Sequence, residues 1–299
     1  MKPKMLVIVF CLTTSLIGNT LSYAEDQLIC CGRDEVFILQ IQQDSSVASK
    51  PVWTWKAEDS PEIPETARKS FATTDECKPV GDSILITSSS GGVALIRRSD
   101  KSCQFYTLAK NAHSACLLPN KRVAVASSFG GDELLIYNLE KPQDGPSQPV
   151  TKIPLKGAHG ALWDKKMNRL WALGSDELLL IDIAGANQEV ELDTERRFKL
   201  PTPGGHDLTQ SRDEAILFIT VDSHVYRFDK KKSQFTTDPF LADHKKVKSM
   251  TQHPTTGEIV YHQGTPNTWW SNIIRFVGPR KSITLPDRHL YKVRWDTTE

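Results

Sequence analysis

Cys77–Arg98 reads CKPVGDSILITSSSGGVALIRR. A Gly-Asp turn leads into a β-branched apolar run, a Ser/Gly tip follows, and a second apolar run closes the unit, which is the pattern of a β-hairpin. The same order returns at Cys116–Leu139 (CLLPNKRVAVASSFGGDELLIYNL), Leu162–Ile183 (LWDKKMNRLWALGSDELLLIDI), Leu208–Asp229 (LTQSRDEAILFITVDSHVYRFD) and Met250–Val277 (MTQHPTTGEIVYHQGTPNTWWSNIIRFV). Leu28–Ile41 (LICCGRDEVFILQI) supplies the second half of one more copy. After each copy comes another short strand: VWTWK from Val52, CQFYTLA from Cys103, KIPLK from Lys152, RFKL from Arg197, SQFTT from Ser233 and SITL from Ser282.

Four strands per unit at a spacing of about 40–45 residues predict an all-β propeller. The apolar runs are too short, and too often broken by Gly, Asn and Asp, to be helices. The ends of the chain predict closure. The first unit lacks its first strand, and the C-terminus carries a spare one, LYKVRW, at Leu290–Trp295. Pairing the two leaves no open sheet edge and gives six four-stranded antiparallel blades. Ala57–Thr74 is too rich in prolines and charges to be a seventh and reads as loop.

Residues 1–24 read as a secretory signal: Lys2 and Lys4, a mostly apolar run from Met5 to Gly18, then Ser22-Tyr23-Ala24 before Glu25. The expected mature protein is therefore one domain over 25–299, secreted or periplasmic, with no later apolar run long enough to span a membrane. With 37 basic and 36 acidic residues the net charge is +1, so no global field draws the chain to nucleic acid. A monomer is expected. Five cysteines remain after cleavage, without zinc-type spacing. A Cys77–Cys103 bridge is chemically allowed outside the cytosol, and buried thiols are the expected state.

Aligning the blades on their first strands brings His113, His159, His206, Lys248 and Lys292 to one position, 46, 47, 42 and 44 residues apart in turn. In the Cys77 blade the equivalent is Asp75, Glu76 or Lys78. First strands line the channel of a propeller, so these side chains should meet at one mouth, where small neighbours leave room for a ligand. Loop tips rising to the same face carry Arg33, Asp34, Ser88 to Ser90, Ser127, Ser128, Asp222, Gln263, Trp269 and Trp270. Such a layer can merely close a channel with hydrogen bonds and water. If it works chemically, three imidazoles suit Mn or Zn, whereas Lys248, Lys292 and Arg33 suit a metal-free site for a carboxylate or another small anion. Trp269 and Trp270 offer flat faces to a sugar, with Ser128 beside them; their alternative is packing against a neighbouring blade. Trp163, Trp171 and Trp295 read as core. His224, His244, His253, His262 and His289 fall mostly on loops, and His253 before Pro254 reads as a turn residue.

The motifs CCGRDEVFIL, DECKPVGDSILITSSSGGVALI, NAHSACLLP, GAHGALWD, LWALGSDELLL, GGHDL, HKKVKSMTQHP, WWSNIIRF and LYKVRW resemble an uncharacterised family of secreted bacterial β-propellers, which implies the fold and no activity. The site layout is also similar to that of oligogalacturonate lyases, with no shared linear motif. That analogy implies a metal on His113, His159 and His206 with Gln263 as a fourth ligand, and β-elimination on an acidic oligosaccharide with a His or a cation such as Lys248, Lys292 or Arg33 in the catalytic roles. The alternative is a non-catalytic propeller that binds a glycan or a protein at the same face.

Overall fold

A computed structural model describes residues 26–41, 50–139, 145–184 and 191–297; the proposed signal and its cleavage point lie outside them. The described chain forms six four-stranded antiparallel sheets. In blades 2 to 6 the strands follow chain order outward, beginning with Thr74–Val80, Ala112–Leu118, Gly160–Asp164, Gly205–Gln210 and Val247–Gln252. In blade 1 the innermost strand is Lys292–Trp295, which pairs antiparallel with Gln27–Gly32 in the register Cys31↔Lys292 to Leu28↔Trp295. Each innermost strand packs on the next around the circle, including the last on that of blade 2. The closure expected from the spare strand is thus present, and no helix is long and apolar enough to cross a membrane among the described residues.

Alternation along the strands sends apolar side chains to both faces of each blade, and the buried residues gather into six clusters, one per blade interface. Cys30 and Cys31 illustrate the alternation: Cys30 enters the cluster between blades 6 and 1, and Cys31 that between blades 1 and 2. All five described cysteines are free and buried, so Cys77 and Cys103 are unbridged. Trp171 and Trp295 are buried in the core, and Trp163 packs partly buried against it.

The segment expected as loop after Trp55 is a compact wedge. It forms short helical turns at Ala57–Asp59, Glu65–Arg68 and Lys69–Phe71. Its Ile63 and Phe71 sink into the interface between blades 1 and 2, where Phe71 meets Trp55 edge-on at 5.6 Å between ring centroids. Gly92 makes room for it, since a Cβ there would lie 2.7 Å from the Phe71 ring. Prolines and charges mark the wedge as non-sheet; its few apolar residues are what anchor it.

Candidate functional site

Where each innermost strand begins, the ladder carries one extra residue. The register skips Asp75 between Thr74 and Glu76, His113 between Ala112 and Ser114, His206 between Gly205 and Asp207, and Lys248 between Val247 and Ser249. In the other two blades the same crowding arises from the backbone. His159 N–H donates to the carbonyl of Leu173, whose Cα partner is Gly160, and Tyr291 N–H donates to that of Cys31, whose partner is Lys292. Two residues thus face one in every blade. Such bulges break the alternation and re-aim a side chain. Here they turn Asp75, His113, His159, His206, Lys248 and Tyr291 into one cavity of about 650 Å³ at the channel mouth, also lined by Arg33, Phe129, Trp269, Trp270 and His289.

The histidines converge in a tilted, edge-on row. His113 and His159 have ring centroids 4.2 Å apart, and His159 and His206 5.4 Å. The Nδ1–H of His113 donates to the Asn111 carbonyl at 3.1 Å, and that of His159 to the Gly157 carbonyl at 2.9 Å, with Ser128 Oγ also 2.9 Å away. A carbonyl only accepts, so these contacts fix the tautomer and leave Nε2 as the acceptor of both neutral imidazoles. His206 is turned differently: its Nε2 contacts Asp222 Oδ1 at 2.6 Å and Lys248 Nζ at 2.7 Å, while its Nδ1 is buried without a partner. Burial pushes all three imidazoles below their ordinary pKa, His206 to about 4 despite the pull of Asp222.

Lys248 is fully buried, with Nζ 4.4 Å above the Trp269 ring. Burial, reinforced by Lys246 and Lys292, pulls its pKa down to about 7 against the opposing effect of Asp222. Asp75, by contrast, is pushed up by burial although it accepts the Ser89 N–H and faces His113. Trp269 is 58% exposed, and Trp270 stacks on His289 with centroids 3.5 Å apart and planes 8° from parallel. Arg33 Nε donates to His289 Nδ1 at 2.9 Å, so guanidinium, imidazole and indole form one wall. The Trp loop is braced from below by His262, which lies on a strand rather than a loop. Its Nε2 accepts the Ser271 N–H at 3.2 Å, and burial lowers its pKa to about 3. His253 is a turn residue, its Nδ1 accepting the N–H groups of Thr255 and Thr256.

Lys292, Gln263 and Ser128 of the expected site do not line the cavity, Ser128 being buried behind His159. Lys292 is one step beyond the bulge and points down the channel, where it is fully buried with Nζ 3.3 Å from Glu76 and 3.1 Å from Asp207. Arg294 completes this plug, donating to Glu76 at 2.9 Å and to Asp207 at 2.6 and 2.7 Å. Burial would raise the Glu76 carboxyl, but Arg294, Lys292 and Lys78 outweigh it and hold it at about 2. The mouth residue of blade 1 is Tyr291, which spacing alone does not separate from Lys292. Gln263 donates to the Lys245 carbonyl at 2.8 Å and does not line the cavity.

The expected metal set does not assemble. Among the described residues no group of three or more His, Cys, Asp or Glu side chains is placed to hold a metal ion. The Nδ1–H bonds leave Nε2 of His113 and His159 free, but His206 turns its own Nε2 to Asp222 and Lys248 and does not complete a set with them.

No curated protein matches the sequence. Among solved structures, the chain is similar to a 6-phosphogluconolactonase-type protein from Bacteroides uniformis, at TM-score 0.55 and 10% identity over 90% of this chain and 81% of that one. A second such protein, from Bacteroides fragilis, gives 0.58 and 12% over 86% and 78%. The WD40 propeller domain of Doa1 gives 0.55 and 10% over 79% and 71%. At these identities the likeness is one of fold. The family model that does match spans residues 17–298, and the chain belongs to that family, DUF6528, a family of unknown function.

Proposed function

We propose that the mouth cavity binds an acidic saccharide of the uronate type, without a metal, in a secreted or periplasmic protein. The observation that carries this reading is the pairing of an aromatic wall with a guanidinium in one cavity: Trp269 and Trp270 stand beside Arg33. Indole faces suit the apolar face of a sugar ring, and a guanidinium suits its carboxylate. Neutral His113 and His159 add acceptors for hydroxyl protons. The plug of Lys292, Arg294, Glu76 and Asp207 below makes the cavity a dead end rather than a conduit.

Calorimetric titration with galacturonate and glucuronate oligomers tests the reading. Saturable binding is expected, unchanged by EDTA and weakened about tenfold by Trp269→Ala, the loss of about 1.4 kcal/mol. Absence of binding across such a panel, or binding that needs an added divalent ion, would refute it. Unsaturated products absorbing in the ultraviolet would extend the reading to β-elimination.

A further inference from the structure

Two lysines of the channel are both fully buried, yet they are held in opposite ways. Lys292 lies within 3.3 Å of two carboxylates, Glu76 and Asp207. Lys248 has no carboxylate within 4 Å among the described residues; its polar contact is His206 Nε2 at 2.7 Å. That nitrogen also lies 2.6 Å from Asp222 Oδ1. An imidazole nitrogen offers either one proton or one lone pair. A carboxylate at this distance accepts the Nε2–H hydrogen bond, which leaves Nε2 no lone pair with which to accept from an ammonium. The arrangement is consistent with Lys248 as an uncharged amine whose own lone pair is available. Lys248 lines the cavity with no accessible surface of its own, its Nζ covered by the Trp269 ring, so a ligand reaches the amine when that exposed ring turns aside.

We propose that Lys248 is a covalent capture site, its amine condensing with the aldehyde of an open-chain acidic sugar or a similar carbonyl acid to form an imine. The proposal rests on the reading of the cavity as an acidic-saccharide site. Nζ adds to the carbonyl carbon, its proton passes to the carbonyl oxygen to give a carbinolamine, and loss of one water leaves the C=N bond. The Nε2–H of His206, 2.7 Å from Nζ, is within reach to give its proton to the carbonyl oxygen and to recover one from Nζ, with Asp222 holding the ring in place. Arg33, on the neighbouring blade and lining the same cavity, is the partner for the carboxylate, so the ligand is held at two points. The lowered pKa of Lys248 agrees with this role, as amines must be unprotonated to attack a carbonyl.

The test is reductive trapping on the full chain at pH 7, with galacturonic acid or glyoxylate as the aldehyde and cyanoborohydride to reduce the imine to a secondary amine. The modified lysines are located by peptide mass mapping, and tryptophan fluorescence in the same sample reports binding. Lys248 is expected to be modified at least tenfold faster than surface lysines, which at pH 7 are almost wholly protonated. Galactose, which lacks the carboxylate, should trap more slowly, and Lys248→Arg should abolish the fast adduct. Modification of Lys248 no faster than the surface lysines would overturn the proposal. If galacturonate still quenches the tryptophans in that case, the binding reading survives; if it does not, both fall. Mapping is done on the wild-type chain, so the outcome does not depend on a variant that folds.

Discussion

At the scale of single residues, burial does most of the chemistry at the mouth. It makes imidazolium costly at His113, His159 and His206 and holds the three rings neutral. This has a consequence for stability. An unfolded histidine titrates near 6.5, and His206 folded near 4. Between those values the unfolded chain binds more protons, so stability falls as the pH drops from 7 toward 5 and is fully present above the unfolded value. His206 alone should contribute on the order of 2 kcal/mol to that fall. Urea denaturation at pH 7 and pH 5 should therefore show a smaller difference for His206→Phe than for the wild type; an equal difference would mean that His206 is not held neutral. The histidine triplet is legible in the sequence because one residue type recurs at one spacing. Lys248 is legible as a position, but its lack of a counter-ion is not, since that depends on where Glu76 and Asp207 point.

At the scale of the strand, the bulge explains both what blade alignment finds and what it misses. In four blades the mouth residue is followed directly by one that joins the plug: Glu76, Asp207 and Lys292 form it, and Ser114 donates to Glu76. Mouth and plug residues are thus neighbours in the sequence, and loop lengths that vary by several residues hide which is which. Tyr291 escapes notice for that reason, because its neighbour Lys292 matches the polar character expected of the site. His289 and Phe129 escape it because they come from loops with no repeat spacing. The corresponding residue of blade 4 is Gly160, and packing between blades explains it. A Cβ there would lie 2.6 Å from the Leu208 Cβ and 2.9 Å from the Leu173 Cβ. Gly160→Ala should push blades 4 and 5 apart and cost about 1–3 kcal/mol, measured as a lower urea midpoint at unchanged m-value. An unaltered midpoint would show that the two blades do not close on that glycine.

Across the whole molecule, the fold is readable because a propeller repeats its hairpin and each copy reports on the others. The spare C-terminal strand points to closure, and closure brings residues more than 200 positions apart, such as Glu76 and Arg294, into contact. The plug they form lies directly beneath the mouth cavity and seals its floor. There the two carboxylates Glu76 and Asp207 face three cations, Lys78, Lys292 and Arg294, in one buried network. Pairing of strand with strand can be foreseen; the wedge of Ile63 and Phe71 cannot, since it packs through isolated apolar residues without periodicity. The proposed function requires that the bulged residues and the loops bearing Arg33 and Trp269 form a single ligand site. A crystal of the full chain soaked with a galacturonate oligomer tests this most directly. The expected result is a sugar ring against Trp269, with its carboxylate at Arg33 and its reducing end toward Lys248. A saccharide bound on another face while the mouth stays empty would contradict it.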